Sequence, residues 1–186
     1  MFQLREEDQN ALLQIAREAV QLYLSGSRLQ FPRMNSTILS QSLGVFVSLH
    51  RDKKLRGCIG TIYPAGPLYR NTAECAISAA VNDPRFVPLT RPELDAVTFE
   101  ISVLSPLERV RQTEEIEVGK HGILIIKHQS RGLLLPQVAS DQGWDRERFL
   151  SETCRKAGLK PDDWKEGATI QRFTAQVFSE EKIHAA

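Results

Sequence analysis

The sequence predicts an α+β fold built of two β/α repeats, hairpin–helix–strand occurring twice, in one compact two-lobed domain with an N-terminal helix. Three observations carry that prediction. Apolar residues recur at helical spacing near the start of the chain. Further on, β-branched and apolar runs separated by short polar turns come in two sets. Each set leads into a helical segment and then another strand-like run.

The elements follow in order. Leu12, Leu13, Ala16, Val20 and Tyr23 share a helical face, which predicts an amphipathic helix over about Glu7 to Leu24, ended by Ser25-Gly26-Ser27. A polar connection runs through Pro32 to Ser42. The run from Gly44 to His50, the turn residues Arg51 to Lys54 and the run from Leu55 to Ile62 read as a hairpin. Pro67 suits a first helical turn and opens a helix to about Val81. Thr98 to Leu104 is the strand that closes the first repeat. The second repeat has Gly122 to His128, the turn Gln129-Ser130-Arg131 and a strand from Gly132 to Val138. Asp145 then caps a helix to about Lys156, stopped at Gly158, and Thr169 to Phe178 is the last strand. His50 and His128 end the matching first strands, and Cys75 and Cys154 lie at similar depths in the two helices. The approximate lobes are residues 43–105 and 119–178, packed together within a single domain of residues 1–186, and the cleft between them is the natural place for a site.

Bulk properties narrow the function. Over 186 residues, 24 Lys plus Arg balance 23 Asp plus Glu, and no basic run is present, which argues against phosphate-driven nucleic-acid binding. No apolar run approaches the roughly 20 residues that span a bilayer, and the start has no signal-peptide pattern, so no membrane partner is expected. Three cysteines without a CxxC pair suggest reduced thiols in a cytoplasmic protein.

The segment Leu55-Arg56-Gly57-Cys58-Ile59-Gly60 is the most informative stretch. Strand alternation would put Arg56 and Cys58 on one face, and a cation beside a cysteine stabilises the thiolate. Gly57 and Gly60 invite close approach by a ligand or another backbone. Cys58 reads either as a nucleophile or as a small buried hydrophobe. His121, in the glycine-flanked loop Gly119-Lys120-His121-Gly122, reads as an acid/base or as a loop hydrogen-bonder. His50 and His128 look solvent-facing, and His184 lies in the C-terminal tail. In Asp83-Pro84-Arg85-Phe86, Arg85 is an anion clamp oriented by Asp83, or the pair braces a helix-stop turn. Glu100 breaks an apolar strand and is either solvated or paired with Arg56 or Arg85. Gln137 closes an apolar run, where it contacts a ligand or caps a strand end. The absence of phosphate-loop, dinucleotide and nucleophile-elbow motifs, and of metal-ligand spacing, predicts no cofactor and no metal.

Those segments, with Phe99–Pro106, His121-Gly122-Ile123, Trp144-Asp145, Thr153-Cys154, Lys156–Leu159 and Trp164, closely resemble the AMMECR domain family, the protein A family of the AmmeMemoRadiSam system, over nearly the whole chain. The resemblance implies an α+β fold of two β/α repeats and carries no established activity. It also implies association with a Memo-like protein and a radical-SAM protein. Two functions follow as expectations. One is a cysteine-dependent enzyme using Cys58, with Arg56 activating it, His121 as acid/base and Arg85 fixing an anionic small molecule or modified macromolecule. The other is a non-catalytic binding or scaffold module.

Overall fold

The computed structural model describes residues 3–28, 30, 31 and 36–180. Part of the expected connection from Pro32 to Ser42, and His184, lie outside the described residues. The chain divides into two compact units, Met1–Leu104 with Gln176–Ala186, and Ser105–Ala175.

In the first unit, helix α1 (Glu6–Leu24) buries Leu12, Leu13, Ala16, Ala19 and Val20 along one face. Its first turn carries Glu6, Glu7 and Asp8, whose charges suit the positive end of the helix dipole. The hairpin β1 (Val45–Arg51) and β2 (Lys54–Thr61) comes next, then helix α2 (Leu68–Val81) and strand β3 (Thr98–Leu104). Strand β8 (Ala175–Ser179) completes this sheet in the order β2-β1-β3-β8. Val45, Val47 and Leu49 of β1, Phe99, Ile101 and Val103 of β3, and Phe178 of β8 form one core with α1 and α2. Each large side chain so buried contributes roughly 1.5–3 kcal/mol. By alternation Phe46, Ser48, His50, Thr98, Glu100 and Ser102 point to the opposite face.

The second unit repeats this plan. Its hairpin is β5 (Gly122–Lys127) and β6 (Ser130–Leu134), followed by helices α3 (Pro136–Asp141) and α4 (Arg146–Lys156) and strand β7 (Thr169–Phe173). With the two-residue strand β4 (Glu108–Arg109) the order is β6-β5-β7-β4, the counterpart of the first sheet. The chain exchanges its fourth strands: β4, which follows β3, pairs in the second sheet, and β8, which follows β7, returns to the first. The α+β fold with two hairpin–helix–strand repeats and an N-terminal helix is therefore present.

Two element boundaries differ from expectation. The strand expected to run to Val138 stops at Leu134, because Pro136 opens α3 and a proline with no N–H suits a first helical position. The last strand, expected unbroken over Thr169 to Phe178, is interrupted at Thr174. There the backbone N–H of Thr174 turns to the Ser105 Oγ at 2.9 Å, and the Ser105 N–H donates to the Thr174 carbonyl.

Glycine shapes both repeats. A Cβ at Gly57 would stand 2.1 Å from the Ala79 carbonyl oxygen of α2. One at Gly132 of β6 would stand 2.6 Å from the Ala157 nitrogen, at the end of α4. In each unit the second hairpin strand thus lies against helix backbone at a position only glycine fits.

Candidate functional site

Cys58 lies on the edge strand β2, directly opposite Ser48 of β1, which is in turn opposite Glu100 of β3. The three form one row across the face turned away from the helices. Cys58 is half-buried, whereas Cys75 and Cys154 are buried. Ser48 Oγ donates to Cys58 Sγ at 3.2 Å.

The backbone of Cys58 is held at the open edge of the sheet. Its N–H donates to Asp83 Oδ2 at 2.8 Å, and its carbonyl accepts from Arg85 Nη2 at 3.3 Å. Arg85 also donates to both Asp83 oxygens, through Nε at 2.9 Å and Nη2 at 2.7 Å, and its own N–H reaches Oδ1. Pro84 stiffens the turn between them, so carboxylate and guanidinium offer Cys58 an acceptor and a donor, as a neighbouring strand would. Asp83 is only 4% exposed. The hydrogen bonds from Arg85 come first in holding its carboxyl well below the usual carboxylate range, helped by the Cys58 amide and opposed by burial. Arg85 is correspondingly raised, first by its bond to Asp83; burial opposes this, and the charges of Asp83 and Cys58 add to it.

Arg56 stands differently from expectation. The register shifts between Leu49, opposite Gly57, and His50, opposite Leu55, so Arg56 has no Cα partner on β1 and the simple alternation with Cys58 is interrupted. Its side chain, 12% exposed, reaches both Glu93 oxygens at 3.5 Å, and Arg51 shares that carboxylate. The cation that contacts the Cys58 peptide is Arg85.

Glu100 is half-buried, with His50 Nε2 3.8 Å from its Oε1, too far for a hydrogen bond. That nitrogen is buried and has no partner among the described residues. His50, Lys53, Thr98, Glu100 and Ser179 line a cavity of about 140 Å³.

His121 and Gln137 belong to the second unit, the other five predicted residues to the first. His121 is buried, and its Nδ1 accepts the Glu117 N–H at 3.0 Å. Burial, and then the charge of Arg172, hold its pKa below the ordinary imidazole value, so the ring is neutral with its proton on Nε2 and braces the loop entering β5. Gln137 is half-buried in the first turn of α3, where its carbonyl accepts from Ser140 Oγ. Among the described residues no three His, Cys, Asp or Glu side chains cluster as a metal site, and no helix is long and apolar enough to cross a membrane.

Sequence reasoning passed over Ser48, Lys53, Thr98 and Ser179 and set His50 aside. Ser48 and His50 alternate with Val47 and Leu49, so a shared face was available from β1 alone. Their alignment with Cys58 and Glu100 depends on a three-strand register that one sequence does not display.

An α+β chain of this plan has known counterparts. A model of the AMMECR1 family matches residues 13–178, and the chain belongs to that family. It is 45% identical over 193 residues to Protein TK0174 of Thermococcus kodakarensis, covering 97% of this chain and 94% of that one. A protein of Methanothermobacter thermautotrophicus is 43% identical over 186 residues, covering 96% of this chain and 97% of its own. The crystal structure of the uncharacterised protein PH0010 from Pyrococcus horikoshii superposes with a TM-score of 0.89 at 41% identity, covering 97% of this chain and 95% of that one.

Proposed function

We propose that the chain is a cysteine-dependent enzyme whose nucleophile is Cys58 and whose substrate is an anionic small molecule or a modified macromolecule. The observation that carries this reading is the treatment of Cys58. Of the three cysteines it alone is partly exposed, it receives a hydroxyl hydrogen bond on sulfur, and both its backbone groups are fixed by the Asp83–Arg85 pair. A donor facing the sulfur solvates negative charge there, and a fixed peptide holds the nucleophile in one position. Arg85, 56% exposed at the side chain, is placed to meet an anionic group of the substrate while anchored on Asp83. The reading gives Arg56 a bracing role through Glu93.

The test uses a chloroacetamide probe near neutral pH, with adducts mapped by mass spectrometry. One adduct is expected, on Cys58. The Cys58→Ser variant should keep its melting profile and lose the label. Undiminished labelling of that variant at other positions would overturn the assignment.

One observation favours a second reading. Arg56 and Arg85 are both engaged in intramolecular ion pairs, which suits a rigid display strand as well as a catalyst. On that reading the chain is a binding module for a Memo-like or radical-SAM protein. Arg85→Ala would then weaken partner capture while Cys58→Ala leaves it intact.

A further inference from the structure

Beside the Cys58 row, a recess lined by His50, Lys53, Thr98, Glu100 and Ser179 brings together ionisable residues with few protein partners. The His50 Nε2 is buried without a partner among the described residues, and its nearest charge, Glu100 Oε1, stands beyond hydrogen-bond reach at 3.8 Å. Lys53 makes no ion pair with any described residue, and Glu100 makes none besides that long approach. Thr98 and Ser179, which carry hydroxyls, are also among the described residues lining it. One basic, one acidic, one imidazole and two hydroxyl-bearing residues lining one small space suit a ligand that both donates and accepts.

The backbone adds an independent sign. Arg51 pairs with Lys54, so the hairpin loop is Asp52-Lys53, with φ of 51° and 61°. Positive φ at both central residues is the geometry that ordinarily selects Asn-Gly or Asp-Gly. Lysine at such a position is uncommon. Lys53 is also one of the residues lining the recess.

We propose that this recess binds a small zwitterion, a primary ammonium and a carboxylate on one short carbon frame, as in a free amino acid. The carboxylate meets Lys53 and the hydroxyls, and the ammonium meets Glu100 and His50. A purely anionic ligand would face Glu100, and a purely cationic one Lys53, so neither satisfies the lining. The cavity of about 140 Å³ matches roughly four or five water volumes, the room a ligand of amino-acid size needs. Glu100 also ends the row that begins at Cys58, so the bound molecule lies next to the thiol's row. Its role as the Cys58 substrate rests on the enzyme reading above; its binding does not.

The test titrates glycine, β-alanine, acetate and methylammonium separately into the full chain carrying Cys58→Ser, following the His50 ring protons by NMR. Thiol chemistry is then absent, so binding and catalysis fail separately. Glycine or β-alanine should saturate with a Kd on the order of 1 mM, and each single-charge probe should bind about tenfold more weakly or worse. Lys53→Gly should abolish saturation and raise the melting temperature by relieving the turn, and Glu100→Gln should abolish it with the fold retained. No saturation by either zwitterion at about a hundredfold higher concentration would overturn the proposal. So would acetate binding as tightly as glycine, or zwitterion binding that survives Lys53→Gly.

Discussion

Asp83 is the residue on which the candidate site turns. Its carboxylate joins the Cys58 amide to the Arg85 guanidinium while almost wholly buried. Asp83→Asn should therefore cost about 1–3 kcal/mol in urea unfolding, since charge-assisted bonds are lost where water does not replace them. Acid gives the same answer by another route. The folded carboxyl is held below its unfolded value of about 3.9, so its contribution is complete above that pH and drains away as pH falls toward the folded value. His121 acts in a higher window. Its folded pKa lies below the unfolded value of about 6.5, so the folded state resists the proton and stability declines as pH falls below about 6.5. Stability curves should show both steps, with His121→Gln removing only the upper one and Asp83→Asn only the lower. At this scale the sequence showed which residue types matter and the Asp83–Arg85 pairing, and left the other partners hidden. Asp83, Arg85, Cys58 and Glu100 were visible as polar or reactive residues at unusual places. That Arg56 would turn to Glu93, and Arg85 take the Cys58 peptide, follows from a bulge and a turn that no spacing rule specifies.

Strand β2 shows why two glycines of one motif differ in consequence. At Gly57 an added methyl meets the Ala79 backbone, which cannot yield without moving α2. At Gly60 it meets the Phe46 ring, Cδ1 at 2.2 Å and Cγ at 2.3 Å, a clash that a χ1 change in one side chain relieves without moving backbone. Gly57→Ala should accordingly destabilise by about 1–3 kcal/mol or more, and Gly60→Ala by clearly less, compared by urea midpoints at constant m. Elements of this kind were largely legible. Helix α1 declared itself by periodicity, and Asp145 caps α4 as expected, accepting from the Arg148 N–H at 2.8 Å. The errors fell where one residue switches element type. Pro136 follows three leucines that look like strand, yet its ring starts a helix.

Across the whole molecule, the first unit takes its fourth strand, β8, from the end of the chain, whereas the second unit is one continuous stretch that includes β4. The first sheet needs β8: Phe178 is 4% exposed in its core, and Glu180 joins Arg17, at 2.6 Å, to the Phe99 N–H. A chain stopped at Thr174 should lose the cooperative unfolding of the first unit, and Phe178→Ala alone should cost about 3–5 kcal/mol. The duplication was readable as an echo of hairpin, helix and strand, whereas the exchange was not, because the two-residue strand β4 carries almost no pattern of its own. The functional claim rests on this architecture: α2 and α4 bury Cys75 and Cys154, while the edge of the first sheet presents Cys58. Burial pushes the Cys75 thiol up to about 11 and raises that of Cys154. The most direct measurement is the alkylation rate of each cysteine by iodoacetamide near neutral pH, resolved by peptide mass spectrometry, in folded protein and in urea. Cys58 should react faster than the other two by orders of magnitude when folded, with the three converging on unfolding. Three equal, slow rates in the folded protein would contradict the account.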